Sequence, residues 1–448
     1  MKYKRTFYPT MKSIRTHKVP KWYHADKIGI FIHWGLYSVP AFAPPVAELG
    51  EVEGNIDWYG NNPYSEWYMN SVRVGQGPSY EHHIEKYGKD FDYNDFSQDF
   101  NAKNFDADEW ASLFEEAGAK YVVPTTKHHD GFCLWNSKYT DFNSVNLGPK
   151  RDIITELANA VEKKNIRLGL YYSGILDWQY ASTPIIDDYD LDNPPNVTAS
   201  YADYAYNQVI ELIDKYKPSV LWNDIGWPKK GLDDLPMLFA YYYNHVEDGV
   251  VNDRWSDVWH DFTTKEYKLG NMDLENKWEN CRGLGLSFAY NAEEDESHIL
   301  SRRELITLLV ETVSHNGNLL INVGPKADGT IPEIQAQRLK EMGAWLKKNG
   351  EAIYGTDIWE RPLDNLPNNL KSFYTAKDNK VYALIDGLKA EQKSAQIILP
   401  NHRETYTKFR SLSLDEKVTS IKQVNNDIVI DINQVPENVD IICFEFTI

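Results

Sequence analysis

Polar and ionisable side chains recur near the ends of short apolar runs. His33 lies in IGIFIHW (28–34), His128 and His129 close KYVVPTTKHH (120–129), and Tyr171 and Tyr172 lie in IRLGLYYS (166–173). Asp224 closes SVLWND (219–224) and Arg254 closes GVVNDR (249–254). One histidine in such a place is usually a satisfied structural group, but several runs ending alike imply a shared pocket. Asp224 sits in LWNDIGWP between Trp222 and Trp227, where an apolar surround excludes water and fixes its geometry. Arg254 could hold it ionised; the plainer alternative is a structural Asp–Arg pair. Cleaving a glycosidic bond needs such a carboxylate and a second carboxyl group that donates a proton. Candidates for the second are Glu66 in PYSEWY and Glu266 in TTKEY, and more weakly Glu48 and Asp261. The residues alone do not rank Glu66 against Glu266. HHD at 128–130 with His33 could instead hold a metal. Adjacent histidines on a strand point to opposite faces, and no H-x-H or HExxH spacing is present. No metal or other cofactor is therefore expected, and the imidazoles read as hydrogen-bond partners for hydroxyl groups.

Elements must bring these positions together. From about residue 28 to 325, buried-strand patterns alternate with amphipathic segments; two further strands are expected at 284–290 and 318–325. Helices are expected at 106–119, with Asp106 as cap and Gly118 near the end, at 151–165, and at 201–218. Near-continuous apolar strands separated by helices indicate a parallel sheet covered on both faces. With this many repeats the expectation is an imperfect (β/α)8-like barrel of the TIM type, whose C-terminal strand ends converge on one face. After WLKKNGEAIYG (345–355) the texture changes to short strands with Asn, Asp, Gly and Pro turns, at 380–387, 393–400, 420–432 and 439–448. That is the pattern of a small antiparallel β-sandwich. The expected domains are a catalytic barrel over 1–355 and a β-sandwich over 356–448.

The chain has 448 residues, with 42% hydrophobic and 25% charged, which fits two globular domains. Its formal charge of −19 argues against nucleic acid and anionic membranes as partners. No apolar run reaches transmembrane length. The basic N-terminal stretch lacks the hydrophobic core of a secretory signal, and Cys133, Cys281 and Cys443 are scattered and odd in number. A cytoplasmic location is the expectation, and a homo-oligomer is possible. Aromatic residues make up 13%, with 14 Trp and 29 Tyr, and their faces can pack on the C–H faces of sugars.

The longest of these motifs resemble the α-L-fucosidases of glycoside hydrolase family 29. The matching stretches are GIFIHWGLYSVP (29–40), NPYSEWY (62–68), KYVVPTTKHHDGFCLWNSKYTDFNSV (120–145), GLYYSGILDW (169–178), LWNDIGWP (221–228), VNDRW (251–255) and LLINVGPKADGTIP (319–332). They cover nearly the whole first domain in order, and the match fades after 354–356. The resemblance implies a barrel followed by a β-sandwich, and a fucosylated glycan or aryl fucoside as substrate. It implies Asp224 as nucleophile and, from a glutamate that follows N-D-R-W and precedes a tyrosine, Glu266 as acid/base. It implies sugar contacts from His33, Glu66, Trp67, His128, His129, Tyr171, Trp222, Arg254 and Phe288. The implied reaction is retaining, with the two carboxyl groups about 5–5.5 Å apart. Fucose is a 6-deoxy sugar, and Phe288 would give its methyl group an apolar seat. Such a seat rejects an added hydroxyl only weakly, by about 10²-fold. Aryl α-L-galactosides should therefore be hydrolysed slowly but measurably; complete absence of turnover would contradict this account of the methyl seat.

Overall fold

The computed structural model describes residues 6–46, 58–181, 183–194, 198–267, 275–437 and 440–448. The apolar runs form strands buried on both faces: β1 (Ile28–Ile32), β2 (Tyr121–Lys127), β3 (Arg167–Ser173) and β4 (Val220–Asp224). They continue in β5 (Val250–Val251), β6 (Thr263–Glu266), β7 (Trp278–Gly283) and β8 (Gly317–Val323). Every ladder between them is parallel, in the order β5-β4-β3-β2-β1-β8-β7-β6. This is the curled sheet of an imperfect barrel. Three of the helices between strands start at side-chain caps: Asp106 for Ala107–Glu116, Asp152 for Ile153–Lys163 and Thr198 for Ala199–Tyr216. Gly118, at φ 89°, takes the left-handed conformation that turns the chain after the first of these.

Among the described residues no strand ladder joins β5 to β6, so the barrel has a seam. Side chains bridge it. Asp261 accepts from the Val251 N–H at 2.8 Å while its own N–H donates to the Val251 carbonyl at 2.9 Å. The Thr264 N–H and hydroxyl both donate to Asp253 Oδ1, at 3.0 and 2.8 Å. Asp261 also pairs with His17 Nδ1 and accepts from Tyr243 OH, each at 2.7 Å. This weaker acid candidate is thus a structural group of the seam, away from the strand-end cavity described below.

One expected strand is misplaced. LGLSFAY (284–290) forms bends across the barrel mouth, and the strand is the preceding WENCRG. The reason is physical: Glu279, Asn280 and Arg282 interrupt that strand's apolar run yet are buried within it. β6 is missed for a similar reason, being four residues of TTKE.

The last barrel helix, Glu333–Asn349, leads into antiparallel strands that begin at Asp357. They form a five-stranded sheet, ordered β13 (Lys408–Ser411), β16 (Ile442–Thr447), β11 (Lys380–Asp386), β10 (Lys371–Lys377) and β9 (Asp357–Asn365). A three-stranded sheet of β12 (Ala395–Leu399), β15 (Asp427–Ile432) and β14 (Thr419–Val424) completes this part. Phe373, Tyr382, Leu384 and Cys443 of the larger sheet join the barrel's core, and the Trp345 indole donates to the Ile441 carbonyl at 2.9 Å.

Candidate active site

Side chains alternate along a strand, so Trp222 and Asp224 project together into the barrel from β4, as Cys281 does from β7. The strand ends converge on a cavity of about 180 Å³. All eleven residues singled out for catalysis or sugar contact line it: Asp224, Glu266, His33, Glu66, Trp67, His128, His129, Tyr171, Trp222, Arg254 and Phe288. Glu48 lies outside the described residues. Trp227 is not at the cavity; it packs on Trp255, with ring centroids 5.1 Å apart.

Arg254 organises the acidic groups. One of its terminal nitrogens donates to Asp224 Oδ1 and the other to Glu266 Oε2, each at 2.8 Å. Its Nε donates to Thr264 Oγ1 at 3.0 Å, and its guanidinium lies 4.8 Å from the Trp222 ring centroid. The two carboxylates thus meet through a shared cation, rather than by facing each other unscreened. Tyr171 OH donates to Asp224 Oδ2 at 2.8 Å, and the Ile225 N–H donates to Oδ1 at 2.9 Å. Ile225 has φ 60°, a costly conformation for a β-branched residue, and it aims that N–H at Asp224. Burial alone would raise the Asp224 carboxyl, but Arg254 and the Tyr171 hydrogen bond outweigh it and hold the group below its ordinary value.

The two glutamates differ. Glu66 is fully buried; its Oε2 accepts from the Ala289 N–H at 2.9 Å and from Ser287 Oγ at 3.2 Å. Burial pushes its carboxyl up to about 7 against these hydrogen bonds. Glu266 is less enclosed, and Tyr64 OH donates to its Oε1 at 3.1 Å.

The histidines lie beside Asp224, with His129 Nε2 3.8 Å from its Oδ2. The ladder between β2 and β3 is irregular between Thr125 and Lys127, and His128 and His129 follow in the turn. Strand alternation no longer applies there, so both rings face the cavity. His33 Nδ1 pairs with Asn322 Oδ1 and His129 Nδ1 with Ser173 Oγ, each at 2.7 Å. The His128 ring is stacked at 8° to that of Tyr171, and its Nδ1 has no hydrogen-bond partner among the described residues. Burial lowers His33 to about 4 and His129 to about 3, and lowers His128 as well. Donor atoms of His128, His129 and Asp224 lie within 4.8 Å of one another. Tetrahedral zinc would need them about 3.4 Å apart, and Arg254, Tyr171 and Ile225 already occupy both oxygens of Asp224. This donor set suits hydroxyl groups better than an ion.

Phe288 covers His33, with centroids 4.8 Å apart, and stands edge-on to Tyr64 and Tyr267. Tyr64, Phe31, Cys281 and Ile225 also line the cavity, as do Trp58, Tyr59, Asn62 and Leu191, none of them expected there from the sequence. Tyr64 lies two residues before Glu66 in NPYSEWY, a signal that was present; Leu191 lies in the short helix Asp188–Asp192, whose sequence carries none.

A family model described as alpha-L-fucosidase matches residues 1–351. The plasma alpha-L-fucosidase of Homo sapiens is 38% identical over 393 residues, spanning 84% of this chain and 78% of that protein. Two Thermotoga maritima structures cover 99% of this chain and 100% of their own at 46% identity. One is an alpha-L-fucosynthase, TmD224G, in complex with alpha-L-Fuc-(1-2)-beta-L-Fuc-N3, with a TM-score of 0.91. The other is an alpha-fucosidase in complex with a mechanism-based inhibitor, with a TM-score of 0.90.

Because His33, His128 and His129 are held neutral by burial, they should not change charge between pH 5 and 8. Long-range proton–nitrogen NMR should show all three as neutral tautomers at pH 5. A midpoint near 6.5 for any of them would contradict the enclosed geometry.

Proposed function

We propose, from the premise that this chain belongs to the α-L-fucosidase family and hydrolyses α-L-fucosides, that it does so by double displacement with net retention. The observation that carries this reading is the single Arg254 guanidinium gripping both Asp224 and Glu266 at 2.8 Å. In the first step an Asp224 oxygen bonds to the anomeric carbon as the bond to the leaving oxygen breaks, and Glu266 gives that oxygen its proton. In the second step the Glu266 carboxylate takes a proton from water. The water oxygen attacks the anomeric carbon, and Asp224 departs as a carboxylate.

Asp224 suits the first role because it is ionised, dry and fixed by three donors. Glu266 suits the second because it stands on the less enclosed side of the site, where a leaving group exits and water enters. Once it has lost its proton, its carboxylate is received by Arg254. Glu66, enclosed and hydrogen-bonded by the 287–289 backbone and side chain, suits an inner sugar hydroxyl instead. A relative made a fucosynthase by replacing an aspartate with glycine supports the reading. A retaining glycosidase without its nucleophile cannot form the glycosyl-enzyme, yet it can still transfer from a β-configured donor such as a β-fucosyl azide.

Asp224→Ala should lower kcat on an aryl α-L-fucoside by roughly 10³-fold or more, since it removes a group that reacts. Azide should restore turnover and yield the β-fucosyl azide. Glu266→Ala with azide should yield the α-fucosyl azide, from attack on the fucosyl-enzyme, and Glu66→Ala should show no rescue. Near-wild-type activity of Asp224→Ala would overturn the nucleophile; rescue at Glu66 but not Glu266 would exchange the acid/base.

A further inference from the structure

Two residues below Cys281 on β7, Glu279 points into the barrel and is completely buried. Its Oε1 accepts from the Trp222 indole N–H at 3.0 Å. Its Oε2 accepts from Tyr121 OH at 2.5 Å and Tyr23 OH at 2.9 Å. The donors come from β4, β2 and the helix Lys21–Asp26. β4 and β7 are not neighbours in the sheet, so the bond between Trp222 and Glu279 crosses the interior near the open seam. Gly29 makes room for this arrangement: a Cβ there would lie 2.3 Å from the Tyr121 ring.

Above the barrel floor the same indole carries the machinery. Arg254 lies over its face, and the Tyr171 ring stacks with it at 5.6 Å and 21°. These two side chains hold Asp224, and one of them also holds Glu266. An indole has one donor. With that donor tied to Glu279 the ring plane is fixed, and so are the seats of Arg254 and Tyr171. We propose that Glu279 is a positioning residue for the hydrolysis, acting through Trp222 to set the geometry of Asp224 and Glu266. This rests on the roles given to those two carboxylates above.

The test compares Glu279→Leu and Glu279→Gln by steady-state kinetics on an aryl α-L-fucoside and by inhibition with free fucose. Gln keeps an acceptor for the Trp222 N–H while its amide group donates to the tyrosine oxygens; Leu keeps the volume and removes the acceptor. Misplacing reacting groups by about 1 Å can cost about 10²-fold. Glu279→Leu should therefore lose about 10- to 100-fold in kcat with KM and fucose inhibition changed little, and Glu279→Gln should restore most of it. A folded Glu279→Leu with wild-type kcat would overturn the proposal, as would a Glu279→Gln variant as slow as Leu. Tyr121→Phe, which frees one side of Glu279, covers the case in which Leu does not fold. A several-fold fall in kcat at unchanged KM supports the proposal, and a wild-type kcat overturns it. Azide rescue of Asp224→Ala identifies the nucleophile independently, so failure of that assignment is seen there and not here.

Discussion

The Arg254 guanidinium between Asp224 and Glu266 is the constraint on which the site depends. Two carboxyl groups drawn into one small cavity lose their hydration, and they repel each other whenever both are ionised. A shared cation, itself seated on the Trp222 face, offsets both costs. The placement of that cation follows from the sheet. Asp224 ends β4 and Glu266 ends β6, on either side of the seam that no ladder closes among the described residues. Arg254 follows the two-residue β5 inside that seam. It does across the gap, with charge, what a backbone ladder does elsewhere in the barrel, and Asp253 and Asp261 support it by bridging the same gap. The incomplete closure of the barrel and the pairing of the carboxylates are thus one feature.

Around this charged clasp the rest of the cavity, Glu66 apart, is neutral. The imidazoles are kept uncharged by burial, so each can offer a donor or an acceptor to a hydroxyl without bringing a positive charge near a developing oxocarbenium ion. Phe31, Phe288 and Trp222 supply apolar surface beside them. A sugar with three hydroxyl groups and a methyl group asks for that mixture. The charged and neutral walls share side chains: Tyr171 stacks on His128 and on Trp222, and its hydroxyl reaches Asp224.

Much of this was legible in the sequence because the chemistry sits where apolar strands stop. β1 to β4 each carry a short apolar run, and His33, His128, His129, Tyr171 and Asp224 near their ends could be named from pattern alone. The stretch 420–432, expected as one strand-like segment, is instead the hairpin of β14 and β15, its two strands joined by an Asn-Asn turn with Asn425 at φ 55°. What was lost are the places where burial and polarity disagree. Glu279 sits in the barrel interior satisfied by three donors, a partnership spread over more than 250 residues of chain that no local pattern records. It broke the apolar run of β7 and displaced the expected strand onto LGLSFAY. Arg254 was expected to steady Asp224, but its second grip on Glu266 depends on how β6 crosses the seam, which spacing does not encode. Spacing likewise does not rank Glu66 against Glu266, because their different enclosure is set by the tertiary fold.

The stereochemistry of the first-formed sugar tests the central claim most directly. Proton NMR during rapid hydrolysis of an aryl α-L-fucoside, read before mutarotation, resolves the two anomers of free fucose. Double displacement through Asp224 predicts that α-L-fucose appears first and the β anomer grows in later. Initial release of β-L-fucose would mean that water attacks directly, and the paired carboxylates would then have to be reassigned as base and acid of an inverting enzyme.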